Sequence, residues 1–153
     1  MNVEAKLALP EIESYVLAKH GRKRALTPAE EDVLARWGEE VRAYVVAGWP
    51  VDTGTSADAW EVEADVSPGR YGLIVSNEMD YASFVHRKGG TPEDDLWIEL
   101  IREAWATAKP LLVAELKLAI DRAEATLQAR AAKKQRDVLD VYRQPRLVRP
   151  AAA

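Results

Sequence analysis

The chain has 153 residues, 48% apolar and 30% charged, a balance that fits one globular α+β or helical domain and leaves enough apolar mass for a sizeable core. With 25 acidic residues against 21 basic ones the net charge is −4, which argues against generic polyanion binding. Cysteine is absent, so disulfide scaffolds, thiolate metal sites and cysteine chemistry are excluded.

No apolar run approaches the roughly 18 residues of a membrane span. Met1-Asn2-Val3-Glu4 opens no secretory pattern either, so a cytoplasmic site of synthesis is expected. Charge is unevenly placed: Arg22-Lys23-Arg24 form a small basic knot, read as solvated surface. The stretch from Lys133 to Ala153 holds six basic residues against Asp137 and Asp140.

Val3 to His20 has an apolar content without a clean period and reads as weakly helical, with Pro10 in the first turn of a helix over Glu11 to Lys19 and Gly21 closing it. A clearer helix follows. Thr27-Pro28-Ala29-Glu30 combines a capping box with proline at the first helical position, and Glu30, Glu31 and Asp32 favour the positive end of the helix dipole. Leu34, Trp37, Val41, Tyr44 and Val45 recur at helical spacing until Gly48 and Pro50 stop them. Pro50, Asp52, Thr53 and Gly54 then read as a structural turn, Asp52 bonding forward to backbone amides and Gly54 taking a positive φ. Asp52-Thr53-Gly54 lacks the glycines and the lysine of a phosphate cradle.

From Ala57 the period changes to two. Trp60, Val62, Ala64 and Val66 alternate with polar residues, and Tyr71 to Ser76 reads as a second strand paired with the first across Ser67-Pro68-Gly69-Arg70. Tyr81 to His86 reads as a third strand or one turn of helix. Thr91-Pro92-Glu93-Asp94 then starts a helix reaching the neighbourhood of Arg136, with Trp97, Ile101, Ala104, Leu112, Leu116, Ile120 and Leu127 on one stripe. Pro110 lies inside it and predicts a kink; because the stripe keeps phase, one bent helix is expected. About 40 residues would span roughly 60 Å, more than a compact domain of this size, so the distal half is expected to project or to pack on a neighbour. Residues 141–153 carry Pro145 and Pro150 and read as an extended arm, with Tyr142, Arg143, Arg146, Leu147 and Arg149 as its contact residues.

These readings define an α+β fold: a small antiparallel sheet of two to four strands packed against an N-terminal helix and a long, proline-kinked C-terminal helix. They give one domain over residues 1–140, its core at about 28–127, and an extended C-terminal arm over 141–153. His20 and His86 are far apart and neither has a metal-ligand partner at helical spacing; no Gly-x-Ser-x-Gly turn frames a serine. Catalytic residues, metals and cofactors are therefore not expected. Trp37, Trp60, Trp97 and Trp105 fall on inward phases and read as core.

Trp49-Pro50-Val51-Asp52-Thr53-Gly54 after a helix, then a strand pair, then Tyr81-Ala82-x-x-Val85, then a helix containing Ala104 to Pro110, together resemble the small tail-component proteins of long-tailed phages, also described as neck or tail-completion proteins. The resemblance covers about residues 28–125. His86 stands where that pattern carries glutamate, and Arg87-Lys88-Gly89 replaces an aromatic-Gly-Thr. Thr55-Ser56 likewise replaces a small residue followed by leucine.

The resemblance implies a non-enzymatic virion protein of the head–tail joint. It implies a homo-oligomeric ring of six copies between head connector or stopper and tail terminator or tube, with DNA passing through the channel without sequence-specific binding and with no membrane partner. Tyr81, Val85, His86, Arg87, Lys88, Gly89 and Gly90 would then form an interaction loop, and the arm would reach an adjacent ring. A head-closure or minor tail protein is the nearest alternative. A small cytoplasmic helical DNA-binding regulator is the alternative of a different class, motivated by the Arg22 to Arg24 knot and the arginine tail.

Overall fold

Residues 3–8 alternate apolar and polar side chains, and they form a strand, β1 (Val3–Ala8), where weak helix was expected. Alternation with period two decides this: Val3, Ala5 and Leu7 share one face and Glu4, Lys6 and Ala8 the other, which suits a sheet and no helix. The structure, a computed structural model, describes residues 3–50, 55–65, 67, 69–79 and 95–143.

Helix α1 (Pro10–His20) follows at once, with Pro10 in its first turn and Gly21 closing it at φ 79°, a left-handed conformation that glycine adopts without strain. Helix α2 (Pro28–Gly48) starts on the expected capping box: the Thr27 side chain accepts from the Glu30 amide, and the Glu30 carboxylate accepts from the Thr27 amide. A single turn, α3 (Thr55–Asp58), precedes β2 (Trp60–Ala64), and β3 (Gly72–Asn77) returns antiparallel to it. The third strand is therefore supplied by the N-terminus: the order is β1-β3-β2, with both neighbours of β3 antiparallel. Tyr81 to His86, the stretch expected to supply it or to form a turn, lies outside the described residues.

The register builds three rows across the inner face, apolar but for Asn77. Ala5, Val75 and Val62 stand in line, then Leu7, Leu73 and Ala64, then Val3, Asn77 and Trp60. Helix α2 packs on that face and helix α4 (Leu96–Arg143) packs on α2 and α1, and Leu34, Val41, Val45, Leu112, Leu116 and Ile120 are fully buried in the shared core. Trp49 adds its ring to Trp60 edge to face, centroids 5.1 Å apart, so the tryptophan left without a role in the sequence is core as well.

α4 runs unbroken through Pro110 and seven residues beyond Arg136, taking in Val141, Tyr142 and Arg143 as helix rather than extended arm. The cause is local: Asp137 to Arg143 contains no glycine or proline, so nothing breaks the backbone ladder before Pro145. Arg146, Leu147 and Arg149 lie outside the described residues. The missing N–H of Pro110 forfeits the bond to the Ala106 carbonyl on an exposed face. Pro110→Ala is accordingly expected to raise stability by about 1–3 kcal/mol, read as the shift in a thermal or urea unfolding curve.

Candidate functional site

The expected site residues divide sharply. Pro50 is described and lies half-buried just past α2, whereas Asp52, Thr53 and Gly54 lie outside the described residues. So do Tyr81, Val85, His86, Arg87, Lys88, Gly89 and Gly90. Tyr142 and Arg143 are exposed on the last turn of α4, Tyr142 at 82% of its surface. Among the described residues no three His, Asp or Glu side chains converge as a metal site would require.

The structure instead assembles a polar centre that the sequence did not signal. Glu30 is wholly buried, and its carboxylate accepts from four directions. Arg24 donates from Nη1 at 2.9 Å, the Thr27 amide at 2.9 Å, the Thr27 hydroxyl at 2.5 Å, and the Tyr71 hydroxyl at 2.9 Å. Arg24 Nη1 also donates to the Tyr71 oxygen at 3.2 Å. Burial pushes the Glu30 carboxyl up, but the hydrogen bonds from Arg24, Thr27 and Tyr71 outweigh it and hold its pKa below the ordinary value. Burial and the adjacent carboxylate raise the Tyr71 phenol, so it stays protonated and donates. On its far side Arg24 Nε lies 3.6 Å from Glu124 of α4, and His20 Nδ1 lies 3.3 Å from the same oxygen.

Each member comes from a different element. Arg24 stands in the α1–α2 connection, Glu30 in the first turn of α2, Tyr71 just before β3 and Glu124 on α4. Arg24, expected on the surface as part of the basic knot, is thus an interior pin. With no exposed surface and four hydrogen bonds on its carboxylate, Glu30 has no room for a substrate; the cluster ties four segments together at the point where α4 leaves the body.

Beyond Glu124 nothing among the described residues covers α4: residues 125–143 are all exposed. Over 19 helical residues this is about 28 Å of rod. Beside its root lies a groove of about 750 Å³ between the start of α2 and α4, walled by Pro28, Ala29, Val33, Leu118, Ala123 and Leu127. Its rim carries Arg36, Arg122 and Arg130, of which Arg36 is paired with Glu115 at 2.9 Å. Leu118 and Leu127 keep 56% and 45% of their surfaces open there, an unusual exposure for leucine next to a core. Among the described residues no helix is long and apolar enough to cross a membrane. Family models, curated protein sequences and solved structures return no match to this chain.

Proposed function

We propose that the protein is a structural subunit of a phage head–tail joint, a neck or tail-completion ring that links the head connector to the tail and leaves a channel for DNA. The observation that carries this reading is an order of parts: a capped helix, Pro50-Val51-Asp52-Thr53-Gly54, an antiparallel strand pair, Tyr81-Ala82-x-x-Val85, then a helix through Pro110. Two features of the fold support it. A small sheet-and-helix body is pinned by an internal polar cluster, and α4 extends about 28 Å beyond that body, which is a shape for joining copies rather than for enclosing a substrate. The net negative charge suits a wall past which DNA slides, because a strongly basic lumen would bind phosphate.

The decisive experiment is electron microscopy of particles made with and without this gene product. The expected result is DNA-filled heads separated from finished tails in its absence; joined particles of normal form would reject the reading. Loss of head closure or of tail-tip parts alone would move the protein to the neighbouring roles of head-closure or minor tail protein.

One observation favours a reading of another class. Arg130, Lys133, Lys134 and Arg136 all lie exposed on the projecting helix, as a DNA-binding regulator would present them. That reading requires duplex affinity that falls steeply with salt in the isolated protein, whereas the ring subunit is expected to show none at physiological salt.

A further inference from the structure

The exposed end of α4 is not uniformly polar. Helical spacing sets Leu127, Ala131, Lys134, Val138 and Val141 on one face, which continues the wall of the groove at Leu127. Leu127, Val138 and Val141 expose 45%, 49% and 66% of their surfaces, and Tyr142 beside them 82%. Along one edge of this face run Arg130, Lys133, Asp137 and Asp140: two basic residues, then two acidic ones. The opposite edge carries Gln128, Gln135 and Leu139 and no charge.

We propose that a second copy of this chain covers the face, the two α4 ends pairing antiparallel about a two-fold axis near Lys134. The arrangement of charge selects both the occupant and its direction. In an antiparallel pair each edge of a helix faces the same edge of its partner, run in reverse. Arg130 and Lys133 of one copy then meet Asp140 and Asp137 of the other, on both sides of the axis. In a parallel pair the charged edge faces the uncharged one, and no ion pair forms.

The apolar residues agree with the same register. Val141 of one copy falls on Leu127 of the other and Val138 on Ala131, large against small at the second contact. The two acidic residues near the helix end thereby approach the arginine rim of the groove. Lys134 meets its own copy at the axis, where its long stem lies on apolar surface and its ammonium turns outward to water. The pairing describes the free protein and does not rest on the virion reading, since a ring would form by exchanging these contacts for ring contacts.

Sedimentation velocity of the full chain at about 50 µM tests the pairing, since an interface below the standard size is expected to hold with a dissociation constant on the order of micromolar. The expected species is a dimer. Val138→Asp with Val141→Asp is expected to give a monomer whose circular dichroism and melting curve still report the folded body. Asp137→Arg is expected to weaken association about tenfold, and adding Lys133→Asp to restore it.

Because the chain has no cysteine, single introduced thiols report direction without background. Lys134→Cys is expected to form a disulfide-linked homodimer, whereas Leu127→Cys and Val141→Cys link only when the two variants are mixed. A monomeric wild type overturns the proposal, as does a dimer that survives the double aspartate change. A Leu127→Cys variant that links to itself shows a parallel pair and overturns the stated geometry. A monomer that binds duplex DNA through Arg130 and Lys133 makes the segment a nucleic-acid contact instead, and equally overturns it.

Discussion

Glu30→Ala is expected to destabilise the fold by about 3–5 kcal/mol, enough to leave little folded protein if total stability lies at the lower end of the usual range. One substitution removes several supports together. Arg24 keeps its charge in the interior without its 2.9 Å partner, the Tyr71 hydroxyl loses its acceptor, and the first turn of α2 loses half its capping box. An unpaired buried charge is the dominant penalty, because the guanidinium has exchanged water for protein and has Glu124 only at 3.6 Å in return. Replacing Arg24 and Glu30 together by methionine is therefore expected to be less harmful than Glu30→Ala alone, a comparison that denaturant titration of the two variants decides.

The same cluster sets a pH response. The folded-state pKa of Glu30 lies below its ordinary value of 4.5, so the unfolded chain takes up this proton first as pH falls. Its contribution is fully present above pH 4.5 and is lost as pH falls through the depressed folded value. Tyr71 acts at the other end: its pKa is raised, so its contribution is present below pH 10 and declines as pH rises above that value. Tyr71→Phe is expected to remove the alkaline component of the stability profile and to reduce the acid one without abolishing it, because Arg24 and Thr27 still hold the Glu30 carboxylate. Chemical denaturation across the pH range reads both.

Gly72→Ala is the second change with a large expected effect. A β-carbon at this position would sit 2.3 Å from the Leu7 carbonyl oxygen and 3.1 Å from its carbon, both backbone atoms of the neighbouring strand. Nothing there can rotate aside, so β1 must move away from β3 and the bonds that hold it are strained, among them Leu9 N–H to the Tyr71 carbonyl at 2.8 Å. A loss of about 3 kcal/mol is expected, at the upper end of overpacking penalties. The loss has a signature: amide exchange should accelerate across Val3–Ala8, while β2 and its register with β3 keep their protection. Uniform acceleration over all three strands would mean that β1 is not separately removable.

Several elements were legible before folding was considered. Thr27-Pro28-Ala29-Glu30 specified the start of α2, because a cap is satisfied within four residues. The strand pair around Trp60 and Leu73 followed from alternation, and the continuity of α4 through Pro110 from a stripe that keeps its phase. These are short-range signals, and short-range geometry is what a linear chain writes down.

What failed were the long-range assignments. β1 gave its alternation in only six residues beside a proline-started helix, and its partner lies nearly 70 positions away, so its strand character depends on pairing with β3. Arg24 read as surface charge because nothing near it in the chain tells that Tyr71 and Glu124 will close over it.

By itself, the chain of residues determined an α+β class, the boundaries of its capped helix, one antiparallel hairpin and a helix too long for the body it belongs to. Tertiary structure alone decided that the N-terminus completes the sheet, that Glu30 becomes a buried anion held by four hydrogen bonds, and that α4 leaves the body at Glu124 with an apolar face that no described residue covers. The physical reason is common to all three. Each depends on which surfaces meet after the chain has folded back, and burial and electrostatics are properties of that meeting rather than of local spacing.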